Sequence, residues 1–170
     1  EKPSLIQQKG IVALTKRRDI VAQSQSGTGK TATFCIGTLQ MVDETLLKPQ
    51  VLIMAPTREL AKQINTVLNN LSDYMKIKSV LCIGGEKLVD NISELEKGCH
   101  YVVGTPGRIF DLLKRYILNS ENLTTMVLDE ADEMLSSGFK EQMYDIFQFL
   151  PCNCQVCLFS ATIPNDVLEL

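Results

Sequence analysis

Residues 24–31, Ser24-Gln25-Ser26-Gly27-Thr28-Gly29-Lys30-Thr31, bring two glycines, a lysine and a hydroxyl into one short order, and their reading decides the fold. Gly27 and Gly29 leave backbone without Cβ that can turn tightly, so successive N–H groups point into one concavity and cradle phosphate oxygens. Lys30 supplies the cation. Thr31 supplies a hydroxyl ligand for the Mg²⁺ that accompanies a nucleoside triphosphate, and a helix from Lys30 onward sets its positive end under the anion. The generic phosphate loop runs Gly, four residues, Gly-Lys-Ser/Thr, and Ser24 stands where its first glycine would be. Context agrees with a loop of this kind, because Asp19 to Gln23 reads as a short strand and Thr31 to Met41 as a helix. The plainer reading is a Gly/Ser turn that happens to carry a lysine.

Outward from this stretch, strand-like and helical patterns alternate. After a first helix over Ser4 to Lys16, capped by Ser4 behind Pro3, the expected strands are 20–22, 51–55, 79–83, 101–103, 126–128 and 155–159. The expected helices between them are 31–43, 57–72, 87–97, 107–116 and 139–149. That alternation predicts an α/β domain, a doubly wound, mainly parallel sheet flanked by helices. Val51 to Ala55 is apolar without alternation, as a strand covered on both faces should be. Ligands of such sheets sit beyond the carboxyl ends of the strands, and polar signatures follow the apolar runs there. They are Pro56-Thr57-Arg58-Glu59-Leu60, Gly84-Gly85, Thr105-Pro106-Gly107-Arg108, Asp129-Glu130-Ala131-Asp132 and Ser160-Ala161-Thr162.

The 170 residues suit one domain with its own core, and 45% apolar with 22% charged is ordinary globular composition. No apolar run approaches the ~20 residues of a membrane span and no signal peptide opens the chain, so an intracellular protein without a membrane partner is expected. A first residue that is not Met and an ending inside an apparent helix suggest a piece of something longer. The net charge of −3 argues against gripping nucleic acid by bulk electrostatics, so any such contact must be local. Lys16-Arg17-Arg18 reads as a solvated helix end. The cysteines read as reduced thiols and small buried hydrophobes: Cys152, Cys154 and Cys157 offer three metal ligands without a nearby fourth, and Cys99 and His100 would face opposite ways on a strand. A single histidine removes His-Glu-x-x-His zinc hydrolases and leaves a serine triad unsupported.

Asp129 to Asp132 crowds three carboxylates behind an apolar strand, a conflict that a divalent cation removes. Asp129 is placed to hold Mg²⁺ through its water shell and Glu130 to orient and deprotonate an attacking water. An acidic helix start is the alternative. Ser160 and Thr162, if extended, point to one side and can bond Asp132, relaying nucleotide state to another surface. Pro56, Thr57, Arg58, Gly84, Gly85, Thr105, Gly107 and Arg108 gather hydroxyls, exposed backbone and guanidiniums on one edge. These suit a sugar-phosphate backbone bound without base reading. Taken singly, Thr57 reads as a helix cap and Thr105-Pro106-Gly107 as a turn.

In order and over nearly the whole chain, these elements resemble the first of the two RecA-like domains of a DEAD-box RNA helicase. Residues 24–31 correspond to motif I, 56–60 to motif Ia, Gly84-Gly85 to the GG element, 105–108 to motif Ib, 129–132 to motif II and 160–162 to motif III. Glu1-Lys2-Pro3-Ser4-Leu5-Ile6-Gln7 is similar to the Q motif, which implies ATP as the nucleotide with Pro3 and Gln7 at the adenine. Val127 to Leu135 and Gly138-Phe139-Lys140 resemble the translation-initiation subfamily, the eukaryotic initiation-factor 4A type, in which alanine is usual where Ser24 stands. The resemblance implies a RecA-like P-loop NTPase domain over 1–170 that binds ATP and Mg²⁺ and one face of single-stranded RNA or a short duplex. It implies a second RecA-like domain carrying an arginine finger, regulatory or scaffold proteins as partners, and a cytoplasmic or nuclear location. The implied activity is RNA-stimulated ATP hydrolysis coupled to unwinding. An ATP-gated RNA clamp acting as a scaffold and a small-molecule P-loop kinase are the alternatives.

Overall fold

The structure, a computed structural model, describes residues 2–170; Glu1 of the Q-motif stretch lies outside them. Six strands form one wholly parallel sheet: β1 (Ile20–Gln23), β2 (Val51–Met54), β3 (Ser79–Cys82), β4 (Tyr101–Gly104), β5 (Thr125–Asp129) and β6 (Gln155–Ser160). Their spatial order is β1-β6-β5-β2-β4-β3. The helices are α1 (Leu5–Thr15), α2 (Lys30–Leu39), α3 (Arg58–Leu71), α4 (Leu88–Glu96), α5 (Pro106–Lys114), α6 (Ala131–Met134), α7 (Lys140–Gln148) and α8 (Asn165–Leu168).

Side chains of a strand alternate between its faces, and the central strands are apolar at every position because both faces are covered. Val51, Ile53, Val103, Val127 and Phe159 meet Leu14, Phe34, Ile64 and Leu68 of α1, α2 and α3. Leu52, Met54, Val102, Met126 and Leu128 meet Ile109, Leu112, Met134, Met143 and Ile146 of α5, α6 and α7 on the other face. This is the expected doubly wound architecture. α1 beds closely on α2, and a Cβ on Gly37 would lie 2.9 Å from Leu14 Cβ, so only glycine permits that approach.

The chain departs from the sequence expectation in three places. Asp129 ends β5, Glu130 takes a left-handed conformation (φ 52°, ψ 49°) and α6 begins at Ala131. The acidic segment is therefore both a strand tip and a helix start. A π-helical turn over Leu135–Phe139, broken at Gly138 (φ 82°), joins α6 to α7. The C-terminal helix is α8, one short turn ending at Leu168.

The cysteines divide. Cys35, Cys82, Cys99 and Cys157 are buried as expected, but Cys154 is half-buried and Cys152 exposed, because Pro151 to Cys154 form a solvent-facing turn before β6. His100 sits just before β4 rather than on it. Its Nδ1 accepts the Lys78 N–H at 3.0 Å and its Nε2 faces the Glu44 carbonyl at 3.0 Å, so both ring nitrogens are occupied by backbone.

On the face covered by α1, α2 and α3, Phe159 is fully buried, with its ring 5.3 Å from that of Phe34. Phe159→Ala should lower unfolding free energy by about 3–5 kcal/mol, read as a reduced urea midpoint at unchanged slope.

Candidate active site

The phosphate loop leaves β1 at Gln23 and enters α2 at Lys30. Gly27 (φ 81°) and Gly29 (φ 87°) both hold left-handed conformations. Gly29 caps α2 with no side-chain bond to its first N–H groups, which leaves them directed at the loop concavity. Ser24, at the generic first glycine position, donates its N–H to the Ser160 carbonyl at 2.9 Å, while its buried hydroxyl has no partner.

The sequence places Lys30 and the acidic tip 99 or 100 residues apart, and the fold brings them into contact. Lys30 Nζ lies 3.2 Å from Asp129 Oδ1 and donates to Glu130 Oε1 at 2.6 Å. Both Lys30 and Asp129 are buried. Burial pulls the Lys30 ammonium down, but the Glu130 hydrogen bond and the Asp129 charge outweigh it and hold it above its usual value. Burial pushes the Asp129 carboxyl above the usual carboxylate range, with Lys30 pulling the other way. Behind them, burial and the Asp129 charge push the Cys35 thiol up to about 12, so it stays neutral.

Asp129 Oδ2 is buried without a hydrogen-bond partner. An anionic oxygen in that condition is costly unless a cation or ordered water meets it. That orphaned oxygen, at a carboxylate beside the phosphate loop, is a group that a divalent cation would satisfy. Glu130 meets Lys30 from a left-handed backbone conformation, one that costs a non-glycine residue about 1–3 kcal/mol.

α1 is stitched to the same loop. Ser4 and Gln7 form a reciprocal capping box, in which Gln7 Oε1 accepts the Ser4 N–H at 2.9 Å. The Ser4 hydroxyl donates to the Thr28 carbonyl at 2.9 Å. Gln7 Nε2 lies 2.6 Å from where Gly29 would carry a Cβ, so its amide sits against the loop. A cleft of about 570 Å³ opens here between Ser4, Leu5, Ile6, Lys9 and the loop residues Gln23, Ser24, Gly27 and Thr28. Gln25 and Ser26 are exposed on the loop, and Pro3 is exposed before α1.

Asp132, Ser160 and Thr162 also meet. The Asp132 N–H donates to Ser160 Oγ at 3.1 Å, and the Thr162 hydroxyl and N–H donate to Asp132 Oδ2 at 2.7 and 3.2 Å. Burial would raise Asp132, yet the bonds from Thr162 and Ser160 hold its carboxylate below the usual range.

A second cleft, of about 380 Å³, gathers Pro56, Arg58, Gly84, Thr105, Gly107 and Arg108 at the carboxyl ends of β2, β3 and β4. Thr57 does not line it, because its hydroxyl caps α3 by accepting the Leu60 N–H. Gly85 lies beneath Arg58, whose Nη1 is 2.7 Å from its would-be Cβ. Pro106, Gly107 and Arg108 form the first turn of α5 rather than a free turn. Two lining residues escaped the sequence reading, Asp111 one helical turn beyond Arg108 and Phe139 in the π turn. Gln142 escaped it too; its buried Oε1 has no partner and lies 3.9 Å from the Cβ position of Gly107. The sequence signal for Asp111 was its i+3 spacing, and nothing local marked the other two.

A glycine turn at a helix N-terminus, facing an acidic strand tip across the carboxyl edge of a parallel sheet, defines a P-loop domain of the RecA-like class. The chain belongs to the DEAD/DEAH box helicase family, whose model matches residues 4–170. It is 56% identical over 170 residues to eukaryotic initiation factor 4A-1 of Arabidopsis thaliana and 54% identical to eukaryotic initiation factor 4A of Drosophila melanogaster. It spans all of its own length but 41% and 42% of those relatives. A DEAD box protein from the hyperthermophile Methanococcus jannaschii has the same fold, with a TM-score of 0.95 at 39% identity, covering 99% of this chain and 46% of that one.

Lys30→Ala strips the buried Asp129 of its cation and should cost about 3–5 kcal/mol of stability near neutral pH. Without Lys30 the folded-state pKa of Asp129 stands further above its unfolded value, so the penalty is full above that folded value and shrinks as pH falls through it. Urea unfolding of both proteins across pH 4–8 reads the difference.

Proposed function

We propose that this chain is the ATP-binding, first RecA-like domain of an ATP-dependent RNA helicase of the initiation-factor 4A type, acting in translation initiation or mRNA metabolism. The single observation that carries the reading is the meeting of Lys30 with Asp129 and Glu130 at the phosphate loop, within 3.2 Å. Lys30 holds in the free protein the site between two carboxylates, and a triphosphate entering the loop gives its ammonium a different anion. Lys30 then turns to the phosphates and releases Glu130 to orient water and accept its proton. The loop N–H groups of residues 24–31 bind the phosphates, and the cleft between α1 and the loop takes the nucleoside, with Pro3 and Gln7 on its adenine side. Bound Mg²⁺, held by Thr31 and Asp129, would neutralise phosphate charge.

The second cleft takes the RNA backbone through Pro56, Arg58, Gly84, Thr105, Gly107 and Arg108, while Thr57 caps α3 and Gly85 lies beneath Arg58. Its backbone-facing groups support strand binding without base reading. Because Ser160 is bonded to Ser24 on one side and to Asp132 on the other, the Asp132–Ser160–Thr162 cluster couples the loop to the surface of a second domain. Unwinding needs that second RecA-like domain, with its arginine finger, from the same protein. Regulatory or scaffold proteins are its further partners, and a cytoplasmic location accords with the initiation-factor relatives. Among the described residues no helix is long and apolar enough to cross a membrane.

In the full-length protein, Glu130→Gln should retain ATP binding and lose RNA-stimulated phosphate release by at least 100-fold (about 10²–10⁴ for a lost general base), whereas Lys30→Ala should lose nucleotide binding. Unchanged turnover in Glu130→Gln removes Glu130 from the chemistry. Wild-type protein that binds ATP and RNA together yet shows no stimulated release is a clamp instead. Thr162→Ala should leave ATP affinity near wild type while reducing the stimulation by RNA, measured as phosphate release against RNA concentration.

A further inference from the structure

Arg108 does not project freely into the second cleft. Its Nη1 donates to Asn91 Oδ1 and its Nη2 to the Glu86 carbonyl, both at 2.7 Å. Both acceptors are uncharged. Asn91 is 2% exposed on α4, and its other amide atom, Nδ2, donates to the Leu81 carbonyl of β3 at 3.0 Å. That strand bond fixes the amide, so Oδ1 faces Arg108. Among the described residues the ion pairs are Lys30 with Asp129 and Glu130, Arg115 with Asp111, and Lys140 with Asp166. Neither cleft arginine is in that set. The cleft's own carboxylate, Asp111, is drawn away by Arg115 Nε at 2.8 Å.

We propose that Asn91 is a positioning residue for the strand-binding cleft, orienting Arg108 through a neutral acceptor so that the guanidinium arrives at a phosphate aligned but not neutralised. The inference rests on the RNA-backbone reading of this cleft given above. A guanidinium has five N–H donors, and the two bonds to Asn91 and Glu86 leave donors over for a phosphate oxygen. A carboxylate at position 91 would hold Arg108 equally well, yet it would set up an ion pair that every incoming phosphate must compete with. An apolar residue there would keep the charge and lose the alignment. Asparagine supplies alignment alone, with its own orientation locked by the Leu81 carbonyl.

The salt dependence of RNA affinity separates these roles, because each phosphate neutralised on a single strand adds about 0.7 to the slope of log K against log salt. The experiment is fluorescence anisotropy of a labelled decauridylate with the full-length protein and a non-hydrolysable ATP analogue, across 50–300 mM KCl. Asn91→Asp should fold, bind the analogue normally and show a slope shallower by about 0.7–1 with weaker binding at low salt. Asn91→Ala should weaken RNA at every salt concentration; if it does not fold, Asn91→Asp carries the test. Asn91 variants with wild-type slope and affinity, beside an Arg108→Ala variant that loses both, would overturn the positioning role and leave the cleft reading intact. Wild-type binding by Arg108→Ala would overturn the cleft reading and this inference with it.

Discussion

A buried ammonium between two carboxylates is the interaction on which the carboxyl edge of this sheet depends. Asp129 is fully buried at the tip of β5 and would be costly there as an isolated anion. Lys30 removes that cost from across the molecule, and in doing so it draws the phosphate loop onto the acidic tip. The pairing leaves one Asp129 oxygen without a partner and holds Glu130 in a strained backbone conformation. Both features mark a site organised for something other than its own stability, since an apolar pair would pack there at lower cost.

From that centre a short hydrogen-bonded path runs through Ser24, Ser160, Asp132 and Thr162. Its links join the ends of β1 and β5 to the end of β6. The second cleft is organised in the same manner, with Asn91 and the Glu86 carbonyl setting Arg108 while Arg115 occupies Asp111.

The strands and the loops that follow them were legible because their signals are local. Unbroken apolar runs such as Val51–Met54 mean a strand covered on both faces, and glycine before lysine means a turn into a helix. The meeting of Lys30 with Asp129 was also readable, since a doubly wound sheet brings strand ends together. Less legible were features decided by tertiary contact. α6 is four residues long, too short for a periodic pattern, and the π turn depends on Gly138 and on packing of Phe139. The neutral clamp on Arg108 joins residues 17 apart through a buried amide on a helix whose pattern reads as ordinary. Cys152 was misjudged because the turn after Pro151 lifts it from the core.

The seating of β1 has a temporal consequence. This strand delivers the phosphate loop, yet the sheet order gives it β6 as its hydrogen-bonded neighbour, in register from Ile20 opposite Cys157 to Gln23 opposite Ser160. On a ribosome β1, made before the other five strands of this sheet, must wait for β6 before it acquires a partner. The central strands β2, β4 and β5 can assemble meanwhile, so the phosphate loop is seated only once β6 has been made.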